Sequence, residues 1–74
     1  MSIQIVMDVS GDTRHEFDNG DDMAVTLAEV RFRELTGKGF RAVALTKDGS
    51  PGRLMRDFDP EVEQTLFIPQ LQGG

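Results

Sequence analysis

TLFIPQLQGG, residues 65–74, decides how the rest of the chain is read. TLFIP is rich in strand-forming residues and ends on a proline, which cannot donate to a ladder. A strand is therefore expected over residues 65–69, with pairing ending near Pro69. Gln70, Leu71, Gln72, Gly73 and Gly74 continue past it, and five residues can span roughly 17 Å at ~3.4 Å each. Glycine costs more chain entropy to fix than any other residue, so a diglycine adds no stability there. Lacking Cβ, it does allow the backbone to enter a narrow channel. Residues 1–69 read as one folded domain, and residues 70–74 as a flexible tail.

Working outward, SIQIVMDV (residues 2–9) alternates with a period of two, the mark of a strand. Ile3, Ile5, Met7 and Val9 share one face, expected to be the inward one, and Gln4, Val6 and Asp8 share the other. Ser10, Gly11, Asp12 and Thr13 carry turn chemistry. RHEFD then alternates again, with His15 and Phe17 inward and Arg14, Glu16 and Asp18 outward, which completes a hairpin. Acidic residues at 21 and 22 offer an N-cap for a helix over residues 22–36 that ends at Gly37.

The apolar positions of that helix form two series, Met23, Leu27, Val30 and Val25, Ala28, Phe32, Leu35. At ~100° per residue they cover more than half the circumference. Either a loop covers one flank or a partner does. FRAVALT, residues 40–46, reads as a short buried strand, and residues 47–52 as a loop. RLMRDFDPEVEQ reads as turns with one short strand. Hairpin, helix, strand, loop, strand gives an α+β fold: a four- to five-stranded mixed sheet on one helix, with first and last strands side by side in parallel.

Composition narrows the function classes. The 74 residues suit one domain with a thin core. There is no cysteine, hence no thiol for catalysis, metal or redox chemistry. The net charge of −5 and scattered arginines disfavour nucleic acid, which needs clustered cations. The N-terminal residues contain neither a basic leader nor a membrane-length apolar run, so a cytoplasmic location is expected. The lone His15 reads as structural. Asp57, Asp59, Glu61 and Glu63 read as a solvated surface, because metal binding needs oxygens converging at fixed spacing.

The element order and the final Gly-Gly resemble ubiquitin and its β-grasp relatives. GRLMRDF at residues 52–58 is similar to that family's G-R-T-L-S-D-Y, and EQTLFI at residues 63–68 to its E-S-T-L-H-L, at unchanged spacing. VSGDT at residues 9–13 resembles L-T-G-K-T, but aligning on it slips the inward face of the first strand by one residue. The tail FIPQLQGG is similar to the F-P-P-V-x-G-G ending of the sulfur-carrier subunit of molybdopterin synthase. A ubiquitin-like body with such a tail looks like a bacterial ubiquitin-like modifier.

The resemblance implies a carried group and no enzyme. A separate adenylating enzyme, using ATP and Mg, would activate Gly74 beside Gly73; this chain binds no cofactor or metal itself. A conjugating enzyme, a deconjugating peptidase and an unknown target complete the implied partners, and the free protein is expected to be a monomer. If Leu66 and Ile68 face the core, Phe67 and Leu71 point outward as apolar anchors, with Pro69, Gln70 and Gln72 beside them. Uncharged Gln70 and Gln72 imply an activating enzyme unlike ubiquitin's own. Ala42 and Ala44 are expected on the outer face of the third strand if Val43 and Leu45 turn inward, leaving Val9 as the remnant of an apolar patch. Lys38 and Lys47 are the two side chains able to accept another copy. The alternatives are a sulfur carrier ending in a thiocarboxylate, and a β-grasp module with no covalent role.

Overall fold

The structure, a computed structural model, describes residues 1–69. Its elements run β1 (Ser2–Asp8), β2 (Gly11–Phe17), α1 (Asp22–Gly37), β3 (Phe40–Leu45), β4 (Pro51–Met55) and β5 (Gln64–Pro69). The strands form a single mixed sheet in the order β2-β1-β5-β3-β4. β5 lies at its centre, parallel to β1 and antiparallel to β3. One helix on one face of this sheet makes an α+β fold compatible with a β-grasp. Among the described residues no helix is long and apolar enough to cross a membrane.

Local chemistry explains the boundaries. Asp8 and Gly11 close the hairpin around Val9 and Ser10, and the Asp8 carboxylate accepts from the Ser10 N–H and hydroxyl at 2.8 and 2.6 Å. Asp21 caps α1, accepting from the N–H groups of Met23 and Ala24 at 3.1 and 3.4 Å. The far end differs from expectation. Gly37 stays helical, Lys38 is the C-cap, and Gly39 takes the positive φ of 100° that turns the chain into β3. Residues 51–52, expected in the loop, open β4.

The inward phase of three strands is reversed from the sequence expectation. In β1 the buried residues are Ser2, Gln4 and Val6, while Ile3 and Ile5 are half-buried on the outer face and Met7 is exposed. In β3, Ala42 and Ala44 are buried, and Val43 and Leu45 lie outward. In β5, Thr65 and Phe67 are buried, Leu66 is half-buried, and Ile68 is 41% exposed. β2 keeps the expected phase, with Phe17 buried and His15 half-buried.

Packing under α1 accounts for the reversal. Phe67 pairs directly with Ala42 across the β5–β3 ladder. That small neighbour leaves room for the ring to turn toward the helix, where it meets Phe32 edge-on at 5.7 Å. Phe58 continues the cluster, 5.9 Å from Phe32 and 6.2 Å from Phe17. Such aromatic pairs add about 0.5–1.5 kcal/mol beyond their area. Gln4 is tolerated inside because both ends of its amide are bonded: Nε2 donates to the Ala28 carbonyl at 3.0 Å, and Oε1 accepts from Arg31 at 2.9 Å. Burying a polar group costs little once it is paired. No buried side-chain nitrogen or oxygen among the described residues lacks a partner.

Gly52 is fixed by a close backbone approach. A Cβ there would stand 2.6 Å from the Ala44 carbonyl oxygen, beside the register irregularity between Ala44 and Leu45. Glycine within a strand commonly marks such a contact.

Candidate functional site

The candidate site is the corner of the sheet where β5 ends. Its last pair joins Pro69 to Phe40 of β3. Met7, Asp8, Val9, Ile68 and Pro69 line an open groove of about 310 Å³ there, mostly with aliphatic carbon. Asp8 stands at its rim, its carboxyl held below the ordinary carboxylate value by the Ser10 hydroxyl and N–H. Val9, read as the last inward residue of the first strand, is instead fully exposed at the hairpin tip, because the strand ends at Asp8.

Of the residues proposed from sequence to bind a partner, Val9 and Pro69 meet at this groove. Phe67 does not: it is fully buried, and the expectation of an outward aromatic anchor is overturned by its packing on Phe32. Ile68 occupies the exposed position instead. It was missed because it was assigned to the core with Leu66. The one-residue slip of the hairpin similarity places Gln4 and Val6 inward as the structure has them, but it bears on β1 alone, and TLFI, apolar at both parities, carries no signal for Ile68. Gln70, Leu71, Gln72, Gly73 and Gly74 lie outside the described residues.

The outer face of β3 also departs from expectation. Val43 and Leu45 occupy it in place of Ala42 and Ala44, so this face is apolar and bulky. The cross-strand partners Ile5, Leu66, Val43 and Leu54 make one continuous row over β1, β5, β3 and β4. Across the molecule, Met23, Leu27 and Val30 of α1 are exposed, so the wide apolar belt of the helix is uncovered on that flank.

His15 sits on the inward face of β2 opposite Gln4. Partial burial, then the nearby Arg31 charge, lower its pKa. Lys38 is exposed at the end of α1 and Lys47 in the turn after β3. In the acidic segment, Asp59 accepts from the Glu61 N–H at 2.9 Å and lies 3.6 Å from the Arg53 guanidinium. Among the described residues no group of three or more ionisable ligands could hold a metal ion.

No protein-family model matches the chain, and neither does a curated protein or a solved structure.

Proposed function

We propose that the protein is a ubiquitin-like modifier of the β-grasp class, carried through its Gly74 carboxylate. The observation supporting this reading most directly is the placement of β5. It is the central strand, anchored on both sides, and it reaches Pro69 beside an apolar groove, five residues before Gly74. A fixed exit, a docking groove and a diglycine within ~17 Å of it suit delivery of a carboxylate into another protein's active site.

In the form ending at Gly74, a carboxylate oxygen attacks the α-phosphorus of ATP on the adenylating enzyme, and pyrophosphate leaves. A thiolate on an enzyme then attacks the acyl-adenylate, AMP leaves, and a thioester remains. A target amine displaces that thiol, losing one proton, to give an amide. Met7, Val9, Ile68 and Pro69 dock the activating enzyme, with Ile68 as anchor. The uncharged Gln70 and Gln72 favour a second reading, in which hydrosulfide attacks the acyl-adenylate, AMP leaves, and a thiocarboxylate remains.

Co-expression with the neighbouring genes, followed by intact-mass measurement with and without deletion of Gly74, tests both. Adducts of higher mass that require Gly74 support conjugation, and replacement of one oxygen by sulfur supports sulfur transfer. No Gly74-dependent species beside an active adenylating enzyme refutes both and leaves a non-covalent module.

A further inference from the structure

We infer that the outer face of the sheet pairs two copies of this chain, in place of the free monomer expected from sequence. The face opposite α1 carries the row Ile5, Leu66, Val43 and Leu54. Ile3 and Leu45 extend it on one side, and Met7 and Ile68 on the other. Met7, Leu54 and Ile68 are exposed on this face and Ile3, Ile5, Val43, Leu45 and Leu66 half-buried, while the helix covers the other; contiguous exposed apolar patches mark interaction sites.

The second copy is singled out by symmetry and charge. The strand order is centred on β5, so a two-fold axis along β5 sets β1 over β3 and β2 over β4 of the other copy. Leu66 then meets its own equivalent on the axis, Ile5 lies over Val43, and Ile3 over Leu45. Such an interface is self-complementary, as two-fold contacts must be, and two sheets stacked ~10 Å apart with their central strands aligned provide its geometry.

Charge is distributed to allow this. The acids of α1 and its cap, Asp21, Asp22, Glu29 and Glu34, and Asp57 beside it, stand on the helix side together with Arg31, Arg33, Lys38 and Arg56. On the outer face, register places Asp12 beside Met7, Arg14 beside Ile5, Glu16 beside Ile3 and Arg41 beside Ile68, a formally neutral set. The two-fold brings Asp12 toward the corner that holds Arg41 of the second copy, and the Arg14 stem over Leu54. A basic partner would find little acid here, whereas a second copy finds a matching surface.

The face is small, five strands about 4.8 Å apart. It lies at the low end of specific interfaces, so the dimer is transient and concentration-dependent. Sedimentation equilibrium of the full chain alone, from about 10 µM to about 1 mM, is expected to show mass rising from one chain toward two. With no ATP or other protein present, the result is independent of Gly74 chemistry. Leu54→Lys and Ile68→Lys, both at exposed positions, are each expected to weaken association at least tenfold while far-UV circular dichroism stays unchanged. Asp12→Arg is expected to weaken it, and adding Arg41→Asp to restore it to within about threefold. A chain that stays monomeric over the whole range overturns the proposal. So does a dimer indifferent to both lysine variants; its loss with Leu27→Lys would place the contact on α1. Failure of the Asp12–Arg41 exchange to restore association overturns the two-fold along β5.

Discussion

Replacing Phe67 and Ile68 one at a time separates the two phases that β5 could adopt. Phe67 is fully buried, paired with Ala42 and edge-on to Phe32, whereas its neighbour Ile68 is 41% exposed on the opposite face. Truncating a core phenylalanine to alanine costs about 3–5 kcal/mol. A 74-residue domain holds about 4–11 kcal/mol in all, so Phe67→Ala is expected to remove a quarter or more of it. Phe67→Leu keeps most of the volume but loses the ring contact, for about 1–1.5 kcal/mol. Ile68→Ala removes a side chain that water already reaches, for about 1 kcal/mol or less. Urea slopes for domains of this size are about 1 kcal/mol/M. The midpoint is therefore expected to fall by about 1–1.5 M for Phe67→Leu, by about 1 M or less for Ile68→Ala, and by about 3 M or more for Phe67→Ala. The chain has neither Trp nor Tyr, so the titration is followed by far-UV circular dichroism, at about 10 µM to keep association out of the signal. An Ile68→Ala loss equal to or greater than that of Phe67→Ala would refute the inward assignment of Phe67. The apolar outer face would fall with it.

Three further measurements probe other joints of the structure. Gly52→Ala forces a Cβ against the Ala44 carbonyl at 2.6 Å, and an expected loss of about 1–3 kcal/mol in urea unfolding checks it. Asp21→Ala removes the acceptor for the Met23 and Ala24 N–H groups; about 1 kcal/mol is expected, while Asp21→Asn keeps most of it. His15 has a folded pKa depressed below its ordinary 6.5. Its neutral form thus contributes stability that is present above 6.5 and lost as pH falls through the lower folded value. Asp8 and Asp48 are depressed from 3.8, so their contributions fade only below that value. Thermal unfolding between pH 7 and 5 is expected to show a decline that His15→Gln flattens; an unchanged decline would assign it to other groups.

Elements with one apolar face were legible in the sequence, and elements with two were legible only as strands. α1 starts at Asp22 as read, because Asp21 and Asp22 give the N-terminal signal and a period near four gives its length. The parallel pairing of β1 and β5 follows from a single helix after a hairpin. Parity failed in β1, β3 and β5 for one shared reason. Alternation identifies the buried side only when the other side is polar, and AVAL, TLFI and IQIV carry apolar residues at both parities. In each of them the larger aliphatics stand at the parity that the structure turns outward. The space under the helix is instead filled by phenylalanine rings, which need alanine beside them. In the candidate site, Pro69 could be read from proline chemistry and Val9 was reached through the resemblance, while Ile68 could not be found without the correct parity.

The reversed parity ties the core to the surface. Apart from Val6 and Met55, the inward strand residues Ser2, Gln4, Ala42, Ala44 and Thr65 offer little apolar area, so much of the stability rests on Phe67, Phe32, Phe17, Phe58 and the residues that pack on them. The aliphatic residues that would ordinarily fill such a core stand on the other side of the same strands. Turning any one strand over would move them inward. Turning over β5 would also strand Phe67 in water, and turning over β1 would break the Gln4 bonds to Ala28 and Arg31, each at a cost of several kcal/mol. The aromatic cluster therefore holds the aliphatic row outward. A fold that retains exposed Leu54 and Ile68 under that constraint either tolerates an apolar surface or covers it, and the neutral charge set around the row, in a chain of net charge −5, favours covering.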